Sequence, residues 1–299
     1  MHRDRFGIEP ACAVLEFPVS SYYHAKKREA EPAAREIRDV ILKEKIMEVW
    51  EGEKGRKVYG ARKIWLELNS GEIEVARCTV ERLMRDLGIR GASPGRKRPP
   101  TTLPGDPADR PSDLLERCFD AAVPNCRRVA DITYVMTIAG WVCTAFVMDL
   151  SARTILGWQV ADHLRSDLAL DALEMAIWVR RDEDLGGLVH HSDRGVQYTS
   201  IRYAERLDGE RAVRSVGSKG DSYDYAAAEA LSSLYKRELI DRKKDWRGVD
   251  DVMLATMDWV QWYNEDRIHS YSGDMPPKKY EEIYYQALET GKLTSSSQT

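Results

Sequence analysis

Residues 128–160 read RVADITYVMTIAGWVCTAFVMDLSARTILGWQV. Apolar and polar side chains alternate here, and β-branched and aromatic residues are dense, which predicts strands rather than helix. The stretch divides into Arg128–Thr137, a turn at Ala139-Gly140, Trp141–Leu150, a second turn at Ser151-Ala152-Arg153, and Thr154–Val160. Three strands joined by turns this short form an antiparallel meander. Downstream the period changes. Leu168–Val179 reads as a helix, with Ser166 or Asp167 near its N-cap. Leu188–His191 is a short apolar strand ending at Ser192-Asp193, and Ser200–Leu207 is a helix. Val213–Val216 is a fifth strand, followed by helices over Tyr225–Ile240 and Val249–Tyr263.

The order β-β-β-α-β-α-β-α predicts an α/β ribonuclease H-like domain with a mixed five-stranded sheet. A dinucleotide-binding fold would lead with β-α-β and a glycine fingerprint, and neither is present. In open α/β sheets the working residues gather where strands end. Three acids fall at such places: Asp131 in the first strand, Asp193 just after the fourth, and Glu229 on the helix after the fifth, with 35 residues between the last two. Mg²⁺ prefers oxygen ligands and retains water. Two such ions, roughly 4 Å apart, can hold the attacking and leaving oxygens of an in-line phosphoryl displacement. Gathered without metal, three carboxylates raise one another's pKa values. Asp149 and Asp162 also end strands and read as structural.

Ahead of this domain the sequence is helical. Residues 1–30 break near Phe17–Tyr22, and Glu36–Glu51 carries apolar residues at helical spacing. Tyr59–Leu68 and Ala76–Leu87 form two short helices separated by Asn69-Ser70-Gly71, a helix-turn-helix pattern. Arg62 and Lys63 on the first, and Arg77, Arg82 and Arg85 on the second, are candidates for DNA contact. Residues 91–111 are dense in Gly and Pro and include Arg96-Lys97-Arg98, which reads as a basic linker. The overall charge is −4, but residues 1–110 carry a net +4 and residues 111–299 a net −8. A basic front and an acidic back suit a DNA-binding module joined to a metal-binding domain. The five cysteines are scattered and form no C-x-x-C pair, so reduced thiols are expected. No apolar run approaches a membrane span, and the charged N-terminus does not read as a signal peptide, so a cytoplasmic, nucleoid-associated protein with no membrane partner is expected.

These motifs resemble those of bacterial insertion-sequence transposases of the IS-three family, OrfB type. Val129–Val135 resembles the first catalytic motif and His190–Tyr198, HHSDRGVQY, the second. Ser215–Asp224 with Ala227-Ala228-Glu229, Leu234-Tyr235-Lys236 and Glu238-Leu239-Ile240 resembles the third. Trp262-Tyr263-Asn264, Arg267-Ile268-His269, Gly273 and Pro276-Pro277 fit as well, as do Val58–Lys63 and Glu74–Met84 at the helix-turn-helix. The resemblance runs from about residue 5 to residue 285. It implies a retroviral-integrase-like core of the Asp-Asp-Glu type, with Asp131, Asp193 and Glu229 as catalytic residues and ligands of Mg²⁺ or Mn²⁺, two ions in all. The implied activity is metal-dependent DNA strand cleavage and strand transfer, the 3′-OH freed by nicking attacking a phosphodiester. Arg194, Lys236 and Arg237 are candidates for holding phosphates. His190 and His191 either orient neighbouring groups or pack the interior. The implied partners are double-stranded DNA (the element's terminal inverted repeats and the target), further copies of the chain, and an OrfA-type upstream product.

The expected organisation is an N-terminal helical segment (1–35), a helix-turn-helix domain (36–92), a basic Pro/Gly-rich linker (93–118), the catalytic core (119–285) and a polar tail (286–299). Three departures stand out. Tyr225 occupies a position where the family usually has Asn, Arg127-Arg128 precede Val129 where an aromatic is usual, and Glu210-Arg211-Ala212 replaces a stretch that commonly contains Gly-Ile. They motivate an alternative, a catalytically impaired DNA-binding relic or regulator of the same family.

Overall fold

The computed structural model describes residues 7–30, 32–93, 123–193, 195–216 and 226–291. Arg96, Lys97 and Arg98 of the linker, Arg194 and Tyr225 lie outside the described residues. The chain divides into two compact units, Met1–Gly91 and Ala92–Thr299.

The first unit is all helix: α1 (Ile8–Val14), α2 (Val19–Ala30), α3 (Ala34–Glu51), α4 (Ala61–Ser70) and α5 (Arg77–Asp86). Its core is the apolar stripe of the last three helices, with Ile46, Ile64, Val80 and Leu83 fully buried around Tyr59. Gly71 ends α4, as the Asn69-Ser70-Gly71 signal predicts. The turn that follows is held by side chains: Trp65 Nε1 donates to the Val75 carbonyl at 2.8 Å, and Asn69 Nδ2 caps the Trp65 carbonyl at 2.7 Å. Across the bundle, Arg82 reaches both oxygens of Asp39 at 2.8 and 3.0 Å, fixing α5 to α3.

The second unit is built on one sheet with strands β1 (Arg127–Thr137), β2 (Gly140–Asp149), β3 (Ile155–Ala161), β4 (Val189–Ser192) and β5 (Val213–Val216). Their spatial order is β3-β2-β1-β4-β5. The meander is antiparallel, whereas β4 and β5 join β1 in parallel, so the sheet is mixed as expected. The helices are α6 (Ser166–Val179), α7 (Ile201–Gly209), α8 (Ala226–Glu238), α9 (Val249–Glu265) and α10 (Pro277–Glu289).

Both faces of the sheet are covered, which is why β2 is buried along almost its whole length. On one face α6 supplies Leu168, Ala172, Leu173 and Ala176 against Ala145, Val147 and Leu156. Gly157 sets that distance: a Cβ there would stand 1.9 Å from the Ala172 carbonyl oxygen, so the helix rests on bare backbone. On the other face an aromatic cluster joins strand to helices, with Phe146, Tyr235 and Trp259 ring centroids 5.1 to 6.1 Å apart. Edge-to-face rings of this kind add to their burial.

Two features differ from the sequence reading. Arg128 does not disturb β1. It is fully buried, its Nη2 donates to Asn125 Oδ1 at 2.7 Å, and it stands opposite Asp149 in the strand register. Burial pulls its guanidinium down to about 10, while the charge of Asp149 works against that shift. Asp149 has the structural role expected of it, accepting from Asn125 N and from the amide and hydroxyl of Ser151. The sequence reading ends its helices at Tyr263, and the structure adds α10, with Pro277 in the first turn, where a missing N–H costs nothing. The helix is anchored by a buried Glu281–Arg180 ion pair and by Tyr285, whose hydroxyl donates to Glu183 at 2.8 Å. No helix among the described residues is long and apolar enough to cross a membrane.

Candidate active site

The middle of β1 carries Asp131, opposite Phe146 of β2. Its neighbour on the other side, β4, ends at Ser192 opposite Ala130. Asp193 therefore leaves the sheet at the level of Asp131, as strand-end reasoning predicts. The Asp193 carboxylate folds back on its own backbone: Oδ1 accepts from Gly195 N at 2.7 Å. A Cβ at Gly195 would come within 2.7 Å of that same oxygen, so a larger residue there would push the carboxylate aside.

The third acid arrives on α8. Its sequence AAAEALSSLYKRE buries Ala227, Ala228, Leu231 and Tyr235 on one stripe and leaves Glu229 exposed. Tyr235 fixes the helix by packing on Phe146 and by a 2.7 Å hydrogen bond between its hydroxyl and that of Thr256. At its C-terminal end Glu238 is buried and paired with Arg267 at 2.6 and 2.8 Å. Between these, the Ser232 hydroxyl donates to Asp131 Oδ2 at 2.6 Å. Ser232 follows Glu229 by three residues, nearly one helical turn, so one hydrogen bond docks the helix of the third acid on the strand of the first.

Electrostatics follow from this placement. Burial pushes the Asp131 carboxyl up to about 6; the Ser232 hydrogen bond opposes the shift, and the charges of Asp193 and Glu229 add to it. Burial also raises Asp193, opposed by the Gly195 amide. Among the described residues no three His, Cys, Asp or Glu side chains converge closely enough to hold one ion. The donor chemistry nonetheless fits a hard divalent cation: three carboxylates, two of them strained toward protonation by burial, are the oxygen ligands such an ion takes.

His190 and His191 are interior residues. His190 Nε2 and the Tyr203 hydroxyl stand 2.7 Å apart, and His191 Nδ1 lies 3.0 Å from Ser215 Oγ. Burial, with the charges of Arg128 and His191, pulls His190 down to about 3, so it is neutral. The pair ties β4 to α7 and to β5 behind Asp193.

The basic candidates are dispersed. Lys236 and Arg237 are half-buried on the last turn of α8, and Arg237 Nε donates to the Ser233 carbonyl at 3.3 Å. In the helical unit, Arg77 pairs with Glu81 at 2.8 Å and Arg82 with Asp39. Lys63 lies over the Tyr59 ring at 4.8 Å, while Arg62 and Arg85 are exposed. Ser232 was missed from sequence; its one signal is the three-residue spacing from Glu229.

The mixed five-stranded sheet with its flanking helices is the fold of the integrase-core class. Residues 36–97 match the family model described as HTH-like domain, and residues 121–222 and 213–277 match two models described as Integrase core domain. A Mycobacterium tuberculosis protein named for insertion sequence element IS986/IS6110 is 51% identical over 270 residues, covering 89% of this chain and 95% of that one. The transposase for insertion sequence element IS629 of Shigella sonnei is 41% identical over 98% of this chain and 97% of its own length. Transposase InsF for insertion sequence IS3A of Escherichia coli K12 is 30% identical over 94% and 96%. The chain belongs to this family, the transposases of insertion sequence elements.

Proposed function

We propose that the chain cuts and joins DNA strands at the ends of its own insertion sequence, with Asp131, Asp193 and Glu229 as ligands of Mg²⁺ or Mn²⁺, two ions in all. The observation that carries this reading is the Asp131 carboxyl, half-buried in mid-strand at the level where Asp193 leaves the sheet and hydrogen-bonded to Ser232 on the helix of Glu229. A half-buried acid in such company is costly to a fold unless a cation offsets it. Bound there, divalent ions supply Lewis acidity to the attacking and leaving oxygens of a phosphodiester.

This chain's residues do the rest. Ser232 orients the Asp131 carboxylate and Gly195 N that of Asp193. Nicking bonds a water oxygen to phosphorus as the 3′-oxygen leaves; in joining, the freed 3′-hydroxyl oxygen bonds to the phosphorus of a second phosphodiester, whose own 3′-oxygen leaves and takes up a proton. Lys236, Arg237 and Arg194 take neighbouring phosphates. Arg62, Lys63, Arg77, Arg82 and Arg85 of the helix-turn-helix domain (36–92), with Arg96, Lys97 and Arg98 of the linker (93–118), take the backbone and base edges of double-stranded DNA. The core (119–285) acts in an assembly of several copies on two element ends, with an OrfA-type product as accessory.

The test is a nicking and strand-transfer assay on duplexes carrying the element's ends. Wild type with Mg²⁺ gives both products, and Asp193→Asn gives neither. Undiminished activity in Asp193→Asn would end the metal-site assignment.

A further inference from the structure

Little of the regular structure aims the Asp193 carboxylate. The ladder of β4 ends at Ser192, paired with Ala130 on one side and Val216 on the other, so Asp193 has no strand partner. Among the described residues its carboxylate accepts one hydrogen bond, from Gly195 N at 2.7 Å. The direction of the carboxylate therefore depends on where Gly195 is held. Gln197 holds it. This residue is 7% exposed, and its Nε2 donates to the Leu164 carbonyl at 3.0 Å. A carbonyl takes only a donor, so the bond decides which way the amide lies and leaves Oε1 for the turn. A Cβ on Gly195 would stand 2.7 Å from that oxygen and 2.7 Å from Asp193 Oδ1. Both side chains thus close on the bare face of one glycine. The turn is knit further by Tyr198 N, which donates to the Gly195 carbonyl at 3.0 Å, and by Ser200 Oγ, which donates to the Gln197 carbonyl at 3.1 Å. Leu164 lies between β3 and α6, and in the sheet β3 and β4 are separated by β2 and β1. One side-chain amide joins two loops that the sheet does not.

We infer that Gln197 is a positioning residue for Asp193: its amide braces the 193–195 turn against the Leu164 loop and so sets the direction of the carboxylate. The consequence for chemistry rests on the metal-dependent reading above. A small divalent cation such as Mg²⁺ demands near-ideal ligand geometry, and groups that orient a ligand without touching the ion change its affinity. Glutamine suits this place. Lysine or arginine would reach the Leu164 carbonyl with a charge that competes with a cation for Asp193. Glutamate would add a further negative charge and offer the carbonyl no donor. The neutral amide supplies the donor and leaves the charge of the acids unchanged.

The test uses the full chain at neutral pH and two variants. Gln197→Met has similar length and no donor; Gln197→Glu keeps an oxygen and loses the donor. In EDTA, hydrogen exchange read by mass spectrometry is expected to quicken about twofold to tenfold across residues 193–198 in both variants, the weight of one hydrogen bond, while β2 and α9 exchange as in wild type. At a temperature where all three proteins are folded, Mn²⁺ affinity measured by calorimetry is expected to fall by a similar factor. A purely structural role would lower the melting temperature and leave that affinity alone. Unchanged exchange across 193–198 would overturn the inference, as would a loosened turn with wild-type Mn²⁺ affinity. Wild-type behaviour of Gln197→Glu would overturn it too, because the bond to Leu164 would then not be the brace. Exchange that quickens equally throughout the core would assign Gln197 to general packing and overturn it likewise. If wild type binds no Mn²⁺ and cleaves no element ends while both variants loosen the turn, the cleavage reading fails and the brace stands. Normal Mn²⁺ binding and cleavage in both variants fails the inference alone.

Discussion

The Ser232 hydroxyl stands 2.6 Å from Asp131 Oδ2, although the two residues are 101 positions apart. It joins the helix that carries Glu229 directly to the strand at the centre of the sheet. Ser232→Ala removes a donor to a charged acceptor, an interaction worth about 1.5–3 kcal/mol. We expect strand cleavage to fall roughly tenfold or more, about 1.4 kcal/mol in the barrier, and the metal concentration for half-maximal activity to rise. Unchanged metal dependence would remove Ser232 from the site.

Asp131 makes stability depend on pH in an unusual sense. Its folded value, about 6, lies above the ordinary 3.8. The folded state therefore binds the proton more tightly. Stability is greatest below pH 4 as far as this group is concerned, and is lost as pH rises from about 4 to about 6, by about 3 kcal/mol at most. In EDTA, denaturant titrations of wild type minus Asp131→Asn should show that loss across this window. A flat difference would mean that the fold does not desolvate the carboxyl.

Metal should reverse the penalty. Mn²⁺ or Mg²⁺ is expected to raise the melting temperature of wild type and to leave Asp131→Asn and Asp193→Asn unmoved, since ligand binding stabilises by mass action. Equal upward shifts in all three proteins would place the ions elsewhere.

Glu238 and Arg267 form a buried pair, with side chains only 5 and 6% exposed. Arg267→Met leaves Glu238 charged and uncompensated, and should cost ~3–5 kcal/mol of unfolding free energy. The double change Glu238→Leu with Arg267→Met should recover much of it. Chemical denaturation of the three proteins decides the point, and a neutral Arg267→Met would mean that the pair is solvated.

Gly157→Ala places a methyl carbon where the Ala172 carbonyl already stands. The expected cost is at least ~1–3 kcal/mol of overpacking, read as a lowered denaturation midpoint. No shift would show that α6 can move off the sheet freely.

Much of this was legible in the sequence because it is local. Alternation between residues 128 and 160 set out the meander, and the stop after His190-His191-Ser192 put Asp193 at a strand end. Gly71 stopped α4 where its residue type said it would. What was not legible depends on partners far along the chain. Arg128 looked like a charge misplaced in a strand until Asn125 and Asp149 were seen around it. Ser232 acquires a role only when the fold brings it to Asp131, 101 positions away. The helix α10 is secured by Glu281 reaching Arg180, an ion pair that no periodicity announces.

The three-residue interval from Glu229 to Ser232 has a consequence for inheritance. A codon gained between them would turn one residue about 100° around the helix relative to the other. Glu229 and the tether to Asp131 would then face different directions. A codon gained before Ala226 leaves their phase within the helix untouched. An in-frame insertion between them is therefore expected to silence a copy of the element, with every acid still spelled correctly in the gene.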